Sequence, residues 1–258
     1  MGERRIAGIY VKGSSLKDWD SPIDYVPTLS DVDIHVLFDS RLIGATERLS
    51  LAEAITLSRL AEELFRNRVP DPVHIPRIQM VDANRLYQDP DYIPSPIETV
   101  EERFGIPYPR RYVDLDLSRA IAVRRTLDPE TVAYLARLGD AVADLTGPHL
   151  RRVLRDLSWR VSPTGPRILE LAGVPFHTSW TSNRTKIIAL LESTGETDLA
   201  EAYAVFYLQS WNYCLSRDAD GEPARRAILA AARLLSRAAE IARSAHVENA
   251  DKVGNAKA

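Results

Sequence analysis

Two short segments near the start carry residue types and spacings that could do chemistry. Lys12-Gly13-Ser14-Ser15 follows an apolar, β-rich run. A glycine at a strand end lets the backbone come close to a ligand. Exposed N–H groups and serine hydroxyls at such a turn can hold a phosphate. Further on, Ser30-Asp31-Val32-Asp33-Ile34-His35 puts carboxylates at i and i+2. With a strand period of two, both project from one face. Side-by-side carboxylates repel each other, and a cation relieves the repulsion; oxygen donors of this kind suit Mg²⁺. A phosphate cradle next to a magnesium pair is the minimum machinery for phosphoryl or nucleotidyl transfer. The bland alternative is a tight turn beside a solvated strand face. His35 continues the face of the aspartates, either as a partner or metal ligand, or as a histidine on a half-buried surface.

The elements that must position these residues alternate between strand and helix patterns. Residues 6–11 (IAGIYV) read as a first strand and residues 31–38 (DVDIHVLF) as a second, with 16–30 a loop between them. Ser50 and Glu53 form a capping box that opens an amphipathic helix to about Arg68, stopped by Pro70 and Pro72. Residues 73–81 (VHIPRIQMV) read as a third strand, with Pro76 implying an edge or a bulge. A short helix is expected at 97–104, and a fourth strand at 111–117 (RYVDLDL), where Asp114 and Asp116 share a face.

From Asp128 the pattern changes. Asp128-Pro129 is a helix start with proline in the first turn, and periodicity runs to about Leu145 before Gly147-Pro148. Helices are expected at 149–160, 165–171, 183–193, 197–217 and 222–246. The layout is α+β: an α/β domain over 1–122, a helical domain over 123–246 and a disordered tail over 247–258.

Strand, Gly-Ser, spacer and then Asp-x-Asp on the neighbouring strand resembles the nucleotidyltransferase superfamily that includes DNA polymerase β and the aminoglycoside nucleotidyltransferases. Gly13-Ser14 and Ser30-Asp31-Val32-Asp33-Ile34 match its pattern, and the two-domain layout is similar to that of the aminoglycoside enzymes. The resemblance implies a polymerase-β-like mixed sheet with flanking helices, followed by a helical bundle. It implies that Gly13 and Ser14 hold a triphosphate, with Ser15 and Lys12 beside them, and that Asp31 and Asp33 are the catalytic metal ligands. The spacer before Asp31 is longer than the family's usual one. The third carboxylate that active members carry on the next strand has no match in 73–81, which offers His74, Arg77 and Gln79. His74, Asp82, Asp114 and Asp116 stand as candidates for the third ligand or the general base, as do the helical acids Asp140 and Asp144.

The expected function is Mg²⁺-dependent transfer of a nucleotidyl group, AMP from ATP or from another nucleoside triphosphate, to a hydroxyl of a small molecule or protein. The alternative is a catalytically degenerate relative that binds nucleotide or a partner as a regulatory module. Composition narrows the rest. The chain has 258 residues, net charge −3, 45% hydrophobic residues and one cysteine, which excludes intrinsic disorder, disulfides and a thiolate metal site. No apolar run reaches membrane-spanning length, and the start does not read as a secretory signal, so a cytoplasmic location is expected. Net acidity leaves no basic footprint for nucleic acid, and the arginine pairs at 110–111, 124–125 and 151–152 read as helix surface. Tyr203, Phe206, Tyr207 and Trp211 follow helical spacing and read as core or as a helix–helix interface. A homodimer is compatible with the resemblance.

Overall fold

The computed structural model describes residues 6–27, 29–39, 50–72 and 74–255, with side chains described as far as residue 247. The first five residues, Val73 at the head of the expected third strand and the last three residues of the expected tail lie outside the described residues. The chain is α+β and divides into two compact units: 1–16 with 30–110, and 17–29 with 111–258.

The first unit holds one four-stranded mixed sheet in the order β3-β2-β1-β4. Its strands are β1 (Ile6–Lys12), β2 (Asp31–Phe38), β3 (Arg77–Asp82) and β4 (Val100–Gly105). β1 pairs antiparallel with both β2 and β4, whereas β2 and β3 run parallel. A parallel pair needs a long crossover, and this one includes helix α1 (Leu51–Arg68). Ser50 caps α1 as expected: its hydroxyl accepts from Glu53 N, and Glu53 returns a carboxylate to Ser50 N. A short helix α2 (Ala83–Tyr87) follows β3.

Two expectations for this region are corrected. Residues 111–117 form no strand: Asp114 accepts from Leu117 N at 2.8 Å and starts helix α3 (Leu115–Thr126). A capping carboxylate satisfies a helix-end donor, which outweighs a weak alternation pattern. The fourth strand is instead Val100–Gly105, where a helix was expected; only a 3₁₀ turn at Ile97–Thr99 precedes it. Pairing with β1 overrides the polar Val-Glu-Glu-Arg sequence.

The second unit is helical. It contains α3, α4 (Pro129–Ala136), α5 (Leu138–Val142), α6 (Leu150–Val161), α7 (Thr164–Leu171), α8 (Phe176–Thr181), α9 (Arg184–Ser193), α10 (Thr197–Leu215) and α11 (Gly221–Asn255). The helix expected over 129–145 is broken at Arg137, α8 was not foreseen, and α11 runs on to Asn255, past the expected end at 246. Leu154, Leu157, Leu169, Leu191, Leu199, Tyr203, Phe206, Tyr207 and Leu234 form the buried centre of its core. The aromatic series on α10 is therefore core, as its spacing indicated. Val26 and Leu29, from the expected loop, pack into the same core. The segment 17–29 thus belongs to the helical unit, and α3 does too, so neither boundary at 122 nor a continuous first domain describes the chain. Among the described residues no helix is long and apolar enough to cross a membrane.

Candidate functional site

The register of β1 against β2 puts Lys12 opposite Asp33, and Gly13 is the first residue beyond the pairing. Gly13 has φ +102°, a conformation that L side chains rarely adopt, and a Cβ built there would lie 2.5 Å from Asp33 Oδ2. The backbone conformation favours glycine here, and the carboxylate of Asp33 on the adjacent strand lies against the position a Cβ would take. Ser14–Leu16 then closes a 3₁₀ turn, with Leu16 N donating to Gly13 O at 3.2 Å. Within this turn the Ser15 hydroxyl oxygen is buried and has no hydrogen-bond partner among the described residues. A buried polar atom left open in this way costs free energy unless something meets it. Lys12 is thus level with Asp33 across the paired strands, and Gly13 borders the Asp33 carboxylate.

Asp31 is 9% exposed and faces Arg77, its register partner on parallel β3, with Arg77 Nη1 to Asp31 Oδ2 at 3.7 Å. Asp33 is opposite Gln79 on the same side. Arg77 and Gln79 occupy the strand positions level with the two aspartates, where a third carboxylate would be sought. His35, on the same face of β2, is 3% exposed, and its Nδ1 has no partner among the described residues. Burial pushes its pKa down to about 3, and the positive charge of Lys12 adds to the effect, so the ring is neutral at physiological pH.

Lys12 donates to Ser95 Oγ at 3.0 Å. Burial lowers its ammonium below the usual lysine range, and attraction to Asp33 opposes the shift. Behind Ser95 is an aromatic wall. Tyr10 packs edge-on against Tyr108 at 5.1 Å between ring centres, and the hydroxyls of Tyr92 and Tyr108 are 3.2 Å apart. Ser95 N donates to Tyr108 Oη at 3.3 Å, and Tyr108 N donates to Glu102 Oε1 at 2.8 Å. Ser95 was not found from sequence, because only the folded path of the segment before β4 takes it to Lys12.

Asp82 is level with Val36, three residues past Asp33 and about 10 Å along the strand. Its carboxylate caps α2 through Asn84 N at 3.0 Å and faces Arg85. His74 precedes β3 and is half-buried, its pKa lowered by burial. Asp114 and Asp116 are helix-start residues of the helical unit rather than a strand pair, and Asp140 lies in α5. Among the described residues there is no group of three or more His, Cys, Asp or Glu placed to hold a metal. Asp31 and Asp33 remain a fitting donor pair for Mg²⁺, which takes one or two carboxylates and completes its shell with water and substrate phosphates.

In the helical unit, α10 and α11 border a groove of about 590 Å³ with Asp198 and Glu201 on one wall and Arg226, Arg233 and Arg237 on the other. Ala202, Val205, Leu229, Ala230 and Leu234 complete its lining. No protein-family model matches the chain, and neither does any of the curated proteins or solved structures compared with it.

Proposed function

We propose that this chain has a polymerase-β-like nucleotidyltransferase unit that transfers a nucleotidyl group, AMP from ATP, to a hydroxyl of a small molecule or protein. The observation that carries the reading is Gly13, whose missing side chain leaves room for the Asp33 carboxylate. That contact puts the turn after β1 beside Asp33 on the paired strand β2. The turn would hold the triphosphate through Gly13 N–H, Ser14 and Ser15, whose buried hydroxyl has no hydrogen-bond partner among the described residues. Lys12, anchored by Ser95, would place a positive charge at the same end of β1. Asp31 and Asp33 would hold Mg²⁺, which when bound supplies charge neutralisation and in-line alignment for the displacement.

The test is calorimetric titration with a non-hydrolysable ATP analogue, with and without Mg²⁺, on the intact chain. Metal-dependent binding that disappears in Asp31→Asn and Asp33→Asn supports the reading; binding indifferent to both substitutions ends it. A second reading is favoured by Arg77 and Gln79 beside the aspartates, with no acid between them. It is a degenerate relative that binds nucleotide without turnover and regulates a partner. Release of pyrophosphate from ATP across a panel of hydroxyl acceptors decides between the two.

A further inference from the structure

In the helical unit the groove between α10 and α11 separates its charges by sign. Asp198 and Glu201 stand on the α10 wall, and Arg233 and Arg237 on the α11 wall. Residues 216–220 join the two helices, a link short enough to fold them back antiparallel. Counted back from that link, Glu201 falls near the level of Arg233 and Asp198 near that of Arg237. Among the described residues Asp198, Glu201 and Arg233 have no ion pair within the chain. Arg237 meets Glu240 at 3.0 Å in an exposed pair on its own helix, which is a weak tie. Leu229 lines the same groove with 59% of its surface exposed. Apolar surface rimmed by charged residues marks an interaction face.

We propose that this face is an interface between two copies of the chain, paired about a two-fold axis that runs along the groove. Such an axis brings the acidic wall of each copy onto the basic wall of the other. Glu201 of one copy opposes Arg233 of the other, and Asp198 opposes Arg237. Each pair occurs twice, as an isologous contact requires. An axis across the helices would instead set like charges together, which is costly. Charges that have no partner within one chain find one in the second copy, and Leu229 leaves water. The face carries both halves of the match, so a second copy suffices as its occupant. The size of the face agrees. Helix α10 has 19 residues. It is therefore about 28 Å long, and two helices side by side are about 20 Å wide. That gives about 600 Å² per copy, and the total only just passes the roughly 1,000 Å² of a specific interface. A face of this size makes the dimer micromolar rather than nanomolar. The pairing does not depend on nucleotide binding.

The test is sedimentation equilibrium of the intact chain at low salt, with the charge reversals Glu201→Arg and Arg233→Glu. The wild type should be dimeric at about 100 µM and dissociate toward about 1 µM. Either reversal alone sets like charges together twice and should weaken the dimer by about tenfold or more. An equal mixture of the two variants should recover an affinity near that of the wild type, because each then presents the sign the other lacks. Both positions are exposed, and melting followed by circular dichroism checks that the variants fold. Should a reversal melt early, Glu201→Gln and Arg233→Gln carry the same test with a smaller loss. A wild type that stays monomeric at about 100 µM overturns the proposal and leaves the groove to a small molecule or a foreign helix. A dimer that ignores both reversals, or whose variants fail to recover on mixing, places the interface elsewhere and overturns it as well.

Discussion

Two buried carboxylates, one in each unit, are held in different ways. In the helical unit Asp24 is 2% exposed and accepts four hydrogen bonds. Asp20 N and Ser21 N reach Oδ2 at 2.9 Å, and Thr185 gives its N–H to Oδ1 and its hydroxyl to Oδ2, each at 2.9 Å. Three of those donors are backbone amides that cannot leave. In the sheet unit Asp31 is nearly as buried, yet it faces the side chain of Arg77, whose end reaches solvent. A carboxylate held by fixed amides is a structural fastener. One that faces a half-exposed arginine is held by an ion pair, which is a weaker tie.

The contrast is most exposed to failure at Asp24. Asp24→Ala leaves the Asp20, Ser21 and Thr185 amides without their acceptor and unties the segment 17–29 from Thr185, while the Arg184 guanidinium keeps its bonds to the backbone carbonyls of Ile23 and residue 24. Urea denaturation should show a loss of about 3–5 kcal/mol. A loss below about 1 kcal/mol would mean that the amides are satisfied by water and that the fastener role is mistaken.

Glu170 offers a third environment, intermediate between the two. It is 2% exposed; its carboxylate accepts from Trp180 Nε1 at 2.6 Å and from the Ser118 hydroxyl, and its backbone carbonyl accepts from Arg119 Nε at 3.2 Å. Burial raises its pKa to about 7, while the Trp180 bond and the charge of Arg167 pull it back. A raised carboxyl pKa means that the folded state binds the proton more tightly than the unfolded one. Its stabilisation is complete below the unfolded value near 4.5 and is lost as pH rises through about 7. Stability should fall by roughly 3 kcal/mol between pH 5 and pH 8 from this group. In Glu170→Gln that slope should flatten, which parallel denaturation curves at the two pH values would show.

How much of this the sequence carried depends on how local each signal is. The capping boxes and caps at Ser50, Asp128 and Asn183 are contacts over two or three residues, and each was readable or lies at an expected helix start. The Gly13 turn and the Asp31–Asp33 pair were legible because strand parity fixes which side chains share a face. Strand β4 was not, since its Glu-Glu-Arg run is accommodated only by pairing with β1. Nor was the fate of 17–29: Val26 and Leu29 are ordinary apolar residues in a loop-like stretch, and the core that takes them up is built from residues more than a hundred positions later. Arg77 was visible as a residue, but its level with Asp31 follows from a parallel register that sequence does not encode locally.

Gly13 sharpens the comparison from the sheet side. Gly13→Ala must keep φ near +102° and accommodate a methyl against the Asp33 carboxylate. The strain alone should cost about 1–3 kcal/mol in thermal or urea unfolding. Binding of the ATP analogue should fall further than stability does, because relief of the clash moves Asp33. If Gly13→Ala binds the analogue like the wild type, the turn does not contribute to the site.

The smallest stability effect should come from Asp31→Asn, and it discriminates most between the two environments. The amide keeps the shape of the carboxylate and removes a charge that is expensive to bury. Arg77, with its side chain 45% exposed, loses a 3.7 Å partner. An ion pair with one solvated member is worth roughly 0–1 kcal/mol, so Asp31→Asn should unfold within about 1 kcal/mol of the wild type. Analogue binding in the presence of Mg²⁺ should nevertheless be lost. The same substitution at Asp24 should do the reverse, because an amide there turns a donor toward backbone N–H groups that need an acceptor. If Asp31→Asn costs as much stability as Asp24→Asn, then Asp31 is a fastener too.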